Sequence, residues 1–383
     1  MWISTSSLQG RCLMSVMKKI PIVSLACYRC VMPENYTDIT IHDVDGVQMC
    51  TACKDHKEKT FGGAEALIQN LDLDPQEQVG VTVSGGKDSL YAWMCLTELF
   101  GPEKVVAFNH HKVGLVHPIA EENIQKASAV LGSEAVVVRD ESFKPRFVQN
   151  LEAFLQKPDA AMVKVVLCSG CRYGIRGQMF REGMKRGIQK FVNANSYLEQ
   201  NPFKISLLER KGNGNYANGI LTGLEENEGY LHGDTVEVVK RDHEYWPSGM
   251  IFSETPEFYS QVQHFSFDRY FPNNPDAFQA AVEERLGWRC PERSWHFDCQ
   301  VESFKDLFYY GLLGHTETES KLSAMVRHGI MSRDVAIEEL SAYHGRMQSM
   351  KMEVDDLLQE MGLEYLLPAV NDFCEKSPFF SHQ

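Results

Sequence analysis

Residues 79–93, VGVTVSGGKDSLYAW, join an apolar run to a glycine-rich loop and the start of an amphipathic segment. The apolar run predicts a strand and the segment after the loop predicts a helix. The glycines Gly85 and Gly86 permit close backbone approach, and the hydroxyls of Ser84 and Ser89 add donors beside a helix N-terminus. The stretch therefore predicts a loop that binds an anion, of the kind that holds phosphate groups.

The segments that follow repeat this strand-helix order. KVVAFNHH (104–111) and EAVVVRD (134–140) predict strands, and PIAEENIQKASAVLG (118–132) predicts the helix between them. Such alternation predicts a parallel sheet with right-handed crossovers, and therefore the α/β fold class. Ligands in these sheets bind beyond the carboxyl ends of the strands, where SGGKDS falls.

The loop differs from two common phosphate-binding patterns, because neither GxxxxGK[ST] nor GxGxxG is present. An ordinary glycine-rich turn between strand and helix remains an alternative. Its position after the first predicted parallel strand favours the phosphate-binding interpretation.

Charge and length limit the classes of protein. The chain has 383 residues, with 38 Lys plus Arg against 52 Asp plus Glu and a formal net charge of -14. This charge opposes general adhesion to nucleic acid or anionic membranes. No apolar run approaches the roughly 18 residues of a membrane span, and the N-terminus has no compact signal core. We therefore expect a cytoplasmic protein without a membrane partner.

The length and pattern predict more than one structural region. We expect a loosely packed N-terminus at 1–24, a zinc-ribbon-like knuckle at 25–60, a main α/β domain at 75–260 and a mostly helical region at 261–383. The helical prediction rests on apolar residues at helical spacing from Ser303 onward.

The zinc prediction comes from CYRCVMPENYTDITIHDVDGVQMCTAC (27–53), in which two Cys-x-x-Cys pairs are nineteen residues apart. The four thiolates of Cys27, Cys30, Cys50 and Cys53 suit a closed tetrahedral zinc site, with a hairpin between the pairs. Unrelated reduced cysteines, or His56 in place of one ligand, are the alternatives. The solitary cysteines are interpreted as packing residues: Cys12, Cys95, Cys290, Cys299 and Cys374.

SGGKDS after an apolar strand resembles the PP-loop of the ATP pyrophosphatase superfamily, whose signature is SGGxDS. The resemblance implies cleavage of ATP between the α and β phosphates, with Lys87 and Asp88 as catalytic residues. It also implies that the nucleotide lies against the loop and the second strand, at Ser84, Gly85, Gly86, Lys87, Asp88, Ser89 and Asn109. Asp88 would then hold Mg²⁺.

Three wider motifs resemble the N-acetyl sugar amidotransferases of surface polysaccharide (lipopolysaccharide and O-antigen) biosynthesis: the CxxCVMP opening, LCSGCRYGI (167–175) and GHTETESKLSAMVRHGIMSRDVAIEEL (314–340). The resemblance implies an N-acetyl sugar or sugar nucleotide as substrate and a separate glutaminase subunit that supplies ammonia. The chain departs from the family at residues 41–43, and residues 203–260 match none of its motifs.

A second resemblance keeps another function open. Cys168 and Cys171, followed by the basic residues Arg172, Arg176, Arg181, Lys185 and Arg186, resemble the central Cys-x-x-Cys of PP-loop tRNA thiolases. That resemblance implies an iron-sulfur cluster, sulfur transfer and a tRNA partner. The pair could equally be a redox dithiol, part of a substrate pocket or a buried reduced turn. Arg172 is a candidate contact for substrate phosphate.

Other polar residues follow later strands. FVNANSYLEQNPF (191–203) predicts a strand and a polar loop in which Asn193, Asn195 and Glu199 could bind substrate or ATP, or cap a helix. Trp295, His296 and Asp298 lie close together in sequence, a pattern more typical of packing than of catalysis.

Overall fold

The structure is a computed structural model that describes residues 24–169, 171, 174–230, 260–291, 297–347 and 349–380, with backbone alone at 174–176. Residues 1–23 of the predicted N-terminal region (1–24) lie outside this part of the chain. So do Arg172, Trp295 and His296, and the side chain of Arg176.

The N-terminal knuckle is a small hairpin. Strands β1 (Ile41–Val44) and β2 (Val47–Cys50) pair in antiparallel register, and α1 (Thr51–Lys54) follows them. Asp45 and Gly46 both have positive φ, at 54° and 81°, as a tight hairpin turn requires. The hairpin brings the second pair of cysteines back toward the first.

A five-stranded parallel sheet forms the centre of the protein. Its strands are β3 (Val79–Thr82), β4 (Val105–Lys112), β5 (Glu134–Asp140), β6 (Lys190–Asn193) and β7 (Gln263–Ser266), in the spatial order β5-β4-β3-β6-β7. The chain moves from β3 to one edge of the sheet and later resumes on the other side of β3. The crevice between β3 and β6 is therefore a topological switch point, the usual ligand position in such sheets.

Helices connect the strands of this sheet and cover it. They are α2 (Gly63–Leu71), α3 (Lys87–Phe100), α4 (Pro118–Leu131), α5 (Phe143–Gln156), α6 (Val163–Leu167), a π-helical turn (Gly174–Met179), α7 (Phe180–Lys185), α8 (Pro202–Lys211), α9 (Tyr216–Glu225) and α10 (Pro275–Leu286). Trp93 of α3 and Val282 of α10 are fully buried in the same core as Val81 of β3. This packing fixes α3, and with it the SGGKDS loop, against the sheet.

The C-terminal region is helical, as predicted. It consists of α11 (Val301–Leu313), α12 (Thr318–Arg327), α13 (Arg333–Met347), α14 (Met350–Glu360) and α15 (Leu367–Lys376). Phe304 and Phe308 of α11 pack against Phe147 and Phe154 of α5, with ring centroids 5.2 and 4.6 Å apart. These contacts join α11 to α5, the helix that follows β5.

The predicted fold class is confirmed: an α/β protein with a parallel sheet, a four-cysteine knuckle before it and helices after it. Strand β7 and α10 extend the α/β layers past residue 260, and the predicted domain boundaries stay predictions. In the part of the chain that the structure describes, none of the helices is long and apolar enough to cross a membrane.

Candidate functional site

The SGGKDS loop lies at the carboxyl end of β3 and leads directly into α3. Gly85 has a φ of +88°, which favours glycine, and a Cβ there would lie 2.4 Å from the carbonyl oxygen of Ala120. The loop therefore passes closer to the start of α4 than any side chain permits. Gly86 is the N-cap residue of α3, so the first amide groups of this helix lack intrahelical acceptors and can bind an anion.

The two serines hold the loop in shape. The Ser89 hydroxyl accepts from the Ser84 amide at 3.1 Å and donates to the Gly86 carbonyl at 2.9 Å. The Ser84 hydroxyl accepts from the Gly86 amide at 3.3 Å. Both hydroxyls, predicted as ligand donors, thus bond within the loop and preorganise its backbone.

Lys87 and Asp88 form the charged part of the loop. Lys87 Nζ lies 3.0 and 2.9 Å from the two carboxylate oxygens of Asp88, and the side chains are 22% and 31% exposed. A pair this accessible can exchange partners with a charged ligand. The lysine can then neutralise a phosphate, and the carboxylate can hold a hard cation.

Residues far away in sequence hold the middle of the loop. The carbonyl oxygen of Gly85 accepts the indole N–H of Trp288 at 3.0 Å and the amide of Asn123 at 3.4 Å. The Asn123 side chain also donates to the carbonyl oxygen of Arg289 at 2.8 Å and accepts from the Arg289 amide at 3.1 Å. The segment after α10 is therefore tied to both the loop and α4.

The other predicted nucleotide and substrate residues occupy different environments. Asn109 is buried and donates to the Val83 carbonyl at 2.8 Å, so its amide supports the strand that leads into the loop. Asn193 accepts from Thr82 at 3.1 Å across β3 and β6, at the switch point. Asn195 is exposed just beyond β6. Glu199 is 51% exposed and pairs with Lys321 of α12 at 3.1 Å.

Asp298 is the described member of the predicted Trp-His-Asp group. Its carboxylate lies 3.5 Å from the position that a Cβ on Gly86 would take, so it faces the loop. Lys112, at the end of β4, is 7% exposed. Burial would lower the pKa of Lys112, but Cys299, Cys171 and Asp298 raise that pKa above its ordinary value. Sequence spacing did not indicate this lysine.

Cys299 packs against the main hydrophobic core, as our interpretation of the solitary cysteines predicts, and it also interacts with Cys171. Cys299 and Lys112 lower the pKa of the Cys171 thiol, although burial opposes the shift. Cys168 interacts electrostatically with Cys299, while burial raises its own thiol pKa. Cys168, Cys171 and Cys299 therefore interact electrostatically with one another and Cys171 with Lys112 of β4, although they come from distant parts of the sequence.

Several basic residues follow Cys171 in the sequence, and those with described side chains have partners away from the three thiols. Lys185 and Arg186 pair on the surface with Glu182, at 3.2 and 3.3 Å, and Arg186 also pairs with Glu134 at 2.7 Å. Arg181 also has a partner of its own. Lys185 and Arg186 are therefore occupied by surface carboxylates.

Cys27, Cys30, Cys50 and Cys53 are buried, and their sulfur atoms all lie within 4.8 Å of one another. The sulfurs of Cys30 and Cys50 are 3.8 Å apart. A tetrahedral ion with bonds of about 2.3 Å to sulfur gives edges of about 3.8 Å, so the group can hold one such metal ion. A [4Fe-4S] cluster interposes its own atoms between the thiolates and needs a wider arrangement.

Arginines support this cysteine group from outside. Arg333 of α13 donates to the carbonyls of Cys30 and Cys27 at 3.2 and 3.3 Å, and Arg29 donates to the Cys53 carbonyl at 3.2 Å. The knuckle is therefore bound to the C-terminal helices. His56, the alternative ligand, packs its ring against His328 at 4.8 Å and is not a member of the four-sulfur group.

A cluster of lysines around Glu317 was also missed from the sequence. Glu317 precedes α12 and lies 2.5 Å from Lys204 and 3.0 Å from Lys305. Lys321, one helical turn further along, is drawn electrostatically to Asp88 as well as to Glu199, and both raise its pKa against the effect of burial. Charged groups of α8, α11 and α12 therefore lie between the SGGKDS loop and the helical region, with Lys321 attracted to Asp88 of the loop.

Comparisons with known proteins give weak likenesses. No family model matches the chain, and no curated protein matches it. Among solved structures, a U34-tRNA thiolase from Methanococcus maripaludis with its [4Fe-4S] cluster is similar at 16% identity and a TM-score of 0.32, over 82% of this chain and 89% of that one.

Two synthetases are similar at lower scores. The NH3-dependent NAD synthetase of Campylobacter jejuni subsp. jejuni, in complex with nitrate, has 11% identity, a TM-score of 0.28 and coverage of 60% of this chain and 95% of that one. The NMN synthetase of Francisella tularensis has 10% identity, a TM-score of 0.24 and coverage of 61% and 86%. At these TM-scores the three structures carry no argument about the activity of this chain.

Proposed function

We propose that this protein is an ATP-dependent amidotransferase of the PP-loop type. It would activate the acetamido carbonyl of an N-acetyl sugar or sugar nucleotide with ATP and replace the carbonyl oxygen with nitrogen derived from ammonia. The products would be an acetamidine, AMP and pyrophosphate.

The observation that carries this proposal is the position of SGGKDS. The loop lies where the first parallel strand enters α3, at the switch point between β3 and β6. Gly85 permits a backbone approach that no other residue would allow, and Lys87 and Asp88 are paired and accessible. A loop at a helix N-terminus with a partly exposed charge pair suits a leaving group as highly charged as pyrophosphate.

The reaction uses the loop for leaving-group stabilisation. The amide oxygen attacks the α-phosphorus of ATP, the bond from that phosphorus to the bridging oxygen breaks, and pyrophosphate leaves with the electron pair. Ammonia then adds to the imidoyl carbon, and AMP leaves with the former amide oxygen. Lys87 and the amide groups of the first turn of α3 would neutralise charge on pyrophosphate as it forms.

Mg²⁺ fits the same loop, because the Asp88 carboxylate is an accessible oxygen ligand whose partner is a single lysine among the described residues. When bound, the ion would shield the phosphate oxygens. Lys87 would orient the β and γ phosphates, and Ser84 and Ser89 would keep the loop backbone in place.

We also propose structural zinc at Cys27, Cys30, Cys50 and Cys53, because four thiols with a 3.8 Å edge form a closed set without an open position. Ammonia would come from a separate glutaminase subunit, since free ammonia is scarce at neutral pH. The proposal places the protein in the cytoplasm.

The test follows both products of activation. Purified protein is incubated with ATP, Mg²⁺, ammonium and an N-acetyl sugar nucleotide whose acetamido oxygen is ¹⁸O. We expect pyrophosphate and ¹⁸O-labelled AMP, and a loss of at least a hundredfold in Asp88→Asn. The matched control Asp372→Asn changes a carboxylate that is 59% exposed on α15 and should leave the rate unchanged. Unlabelled AMP, or undiminished pyrophosphate release in Asp88→Asn, would refute the proposed reaction.

A second candidate function rests on the three thiols near β4. Cys168, Cys171 and Cys299 offer three sulfur ligands, and the lowered pKa of Cys171 favours its thiolate form. An iron-sulfur cluster bound by these three thiols would have one iron without a cysteine ligand. The protein would then be an ATP-dependent sulfurtransferase, with tRNA as its acceptor.

The two candidates separate under anaerobic purification. The sulfurtransferase requires a protein that contains iron and acid-labile sulfide and absorbs visible light by charge transfer. Replacement of Cys299 by Ser should then lower the iron content, whereas Cys374→Ser, in α15, should not. A colourless protein without iron that still releases AMP with an N-acetyl sugar would exclude the second candidate.

A further inference from the structure

Three lysines from three helices surround one carboxylate oxygen. Glu317 Oε1 lies 2.5 Å from Nζ of Lys204, 3.0 Å from Nζ of Lys305 and 3.9 Å from Nζ of Lys164. Among the described residues, Lys164 and Lys204 form ion pairs with Glu317 alone. Each ammonium group has three N–H donors, so the three lysines carry nine N–H groups. Glu317 alone accepts only a minority of them.

The charges of this cluster do not balance. Lys305 also pairs with Glu302, so two carboxylates serve three ammonium groups. Asp306 is the third carboxyl group nearby, and burial and Glu302 raise its pKa well above the ordinary value, which favours its neutral form. When Lys204 is in its ammonium form, this partly buried group of charges has a positive surplus and binds a further anion favourably.

Asn201 gives a second and independent indication of a ligand. Its amide nitrogen donates to Glu317 Oε2 at 3.2 Å and to the Glu199 carbonyl at 2.9 Å. The residue is 8% exposed, and its Oδ1 is buried without a hydrogen-bond partner in the described part of the chain. A buried acceptor of this kind needs a donor, such as a hydroxyl or an N–H group of a ligand.

The cluster is open to solvent on one side. The side chains of Lys164, Lys204 and Lys305 are 38%, 14% and 3% exposed, so the lysines extend from the surface into the interior. Lys321 pairs with Glu199 and is attracted by Asp88 of the loop. A ligand anchored at the lysines can therefore extend along α12 toward the proposed site of ATP cleavage.

We propose that Lys164, Lys204 and Lys305 bind an anionic group of the acceptor substrate, at the position that Glu317 now neutralises. The proposal rests on the proposed amidotransferase function and adds to it that the acceptor is charged. The anionic group is a phosphate or a carboxylate, since both accept several ammonium donors in the same way. Asn201 Oδ1 would accept from a hydroxyl or N–H group next to the anion.

The first test uses inorganic phosphate as the probe, with the loop saturated by a non-hydrolysable ATP analogue. The affinity of the full chain for phosphate is measured by isothermal titration calorimetry. Lys204→Gln should weaken binding about fivefold, and Lys164→Gln by a smaller factor. The control Lys376→Gln removes a lysine that is 74% exposed on α15 and should leave the affinity unchanged.

Glu317→Gln distinguishes a binding site from a structural cluster. Removal of the competing carboxylate should strengthen phosphate binding severalfold, an effect that loss of structural packing would not produce. If Lys204→Gln fails to fold, Lys164→Gln remains informative because its side chain is the most exposed of the three. Unchanged phosphate affinity in both Lys164→Gln and Glu317→Gln would overturn the proposal.

Three acceptors then distinguish the two sources of the anion. AMP release is compared for N-acetylglucosamine, N-acetylglucosamine 1-phosphate and N-acetylneuraminic acid, which are neutral, phosphorylated and carboxylated. We expect one charged acceptor to be used with a lower KM than the neutral one, and Lys164→Gln to remove that advantage. Equal use of all three, with no effect of Lys164→Gln, would refute the anion site and leave the amidotransferase proposal intact. Phosphate binding that depends on Lys164, without AMP release from any sugar, would support the anion site and refute the amidotransferase proposal.

Discussion

The indole N–H of Trp288 donates to the carbonyl oxygen of Gly85 at 3.0 Å, across 203 residues of sequence. Gly85 is the residue of the loop whose positive φ and close approach to Ala120 require glycine. The segment after α10 therefore stabilises the loop conformation on which the proposed ATP site depends.

Replacement of Trp288 by Phe should weaken ATP binding while most of the aromatic packing remains. The lost hydrogen bond contributes about 1 kcal/mol, or roughly a fivefold change in affinity. Isothermal titration calorimetry with ATP measures this change. Trp93→Phe is the matched control, because it removes a bond of 2.9 Å to Ser133, away from the loop. That variant should melt at a lower temperature with unchanged ATP affinity, and equal ATP affinities in all three proteins would contradict the role assigned to Trp288.

Replacement of Gly85 by Ala should abolish ATP binding. The added Cβ would meet the Ala120 carbonyl oxygen at 2.4 Å, in addition to the strain of a positive φ. Gly187→Ala separates the two effects, because Gly187 has a φ of +77° and nothing within 4 Å of a Cβ. We expect that control to lose about 1 kcal/mol of stability and to retain ATP affinity. An alanine at Gly85 that still binds ATP normally would show that the loop does not need its close approach to α4.

Replacement of Cys50 by Ser should remove the metal from the knuckle and lower the melting temperature. The remaining three thiols cannot close a tetrahedral site, and binding free energy of a structural zinc ion contributes directly to folding. Elemental analysis gives the zinc content, and thermal denaturation gives the stability. Cys374→Ser, at an equally buried cysteine outside the group, should retain one zinc per chain. Equal zinc contents in both variants would exclude the four-cysteine site.

Anion binding at the lysine cluster should weaken as the pH rises through neutrality. Burial, together with Lys164 and Lys305, lowers the pKa of Lys204 to about 7, although Glu317 opposes the shift. The ammonium form that binds an anion is therefore present below this pKa and lost above it. With sulfate, whose charge is constant in this range, we expect affinity to fall roughly fivefold from pH 6 to pH 8, the effect of one ion pair worth about 1 kcal/mol.

The Arg variant at this position provides the control for the pH effect. Lys204→Arg keeps its charge throughout the range, so its sulfate affinity should stay constant from pH 6 to pH 8. Lys204→Gln should bind weakly at both values. If sulfate affinity fell equally with pH in the unmodified protein, Lys204→Arg and Lys204→Gln, the titrating group would be one other than Lys204.

Local patterns predicted the sheet strands and the loop well. Apolar runs and glycine spacing are properties of neighbouring residues, so β3, β4, β5 and the start of α3 lie where the sequence indicates. The hairpin between the cysteine pairs follows for the same reason, since Asp45 and Gly46 make the turn. The four sulfurs then meet because their two pairs are carried by this one local unit.

The wider site could not be predicted from local patterns. Cys299 is separated by 128 positions from Cys171, whose thiol pKa it lowers. The lysines around Glu317 come from α6, α8 and α11, and no periodicity distinguishes them from lysines on a solvated helix face. Their lack of compensating carboxylates was visible only after the helices were packed together.

The sequence by itself determined the glycine-rich loop, the parallel α/β sheet around it and the four-cysteine knuckle, because each depends on residues within one or two adjacent elements. The tertiary structure decided that Trp288 holds Gly85, that Cys299 joins Cys171 and that three lysines share Glu317. These relationships depend on how separate helices pack against the carboxyl edge of the sheet. Burial and charge balance at that edge are properties of the packed chain, and the order of residues does not display them.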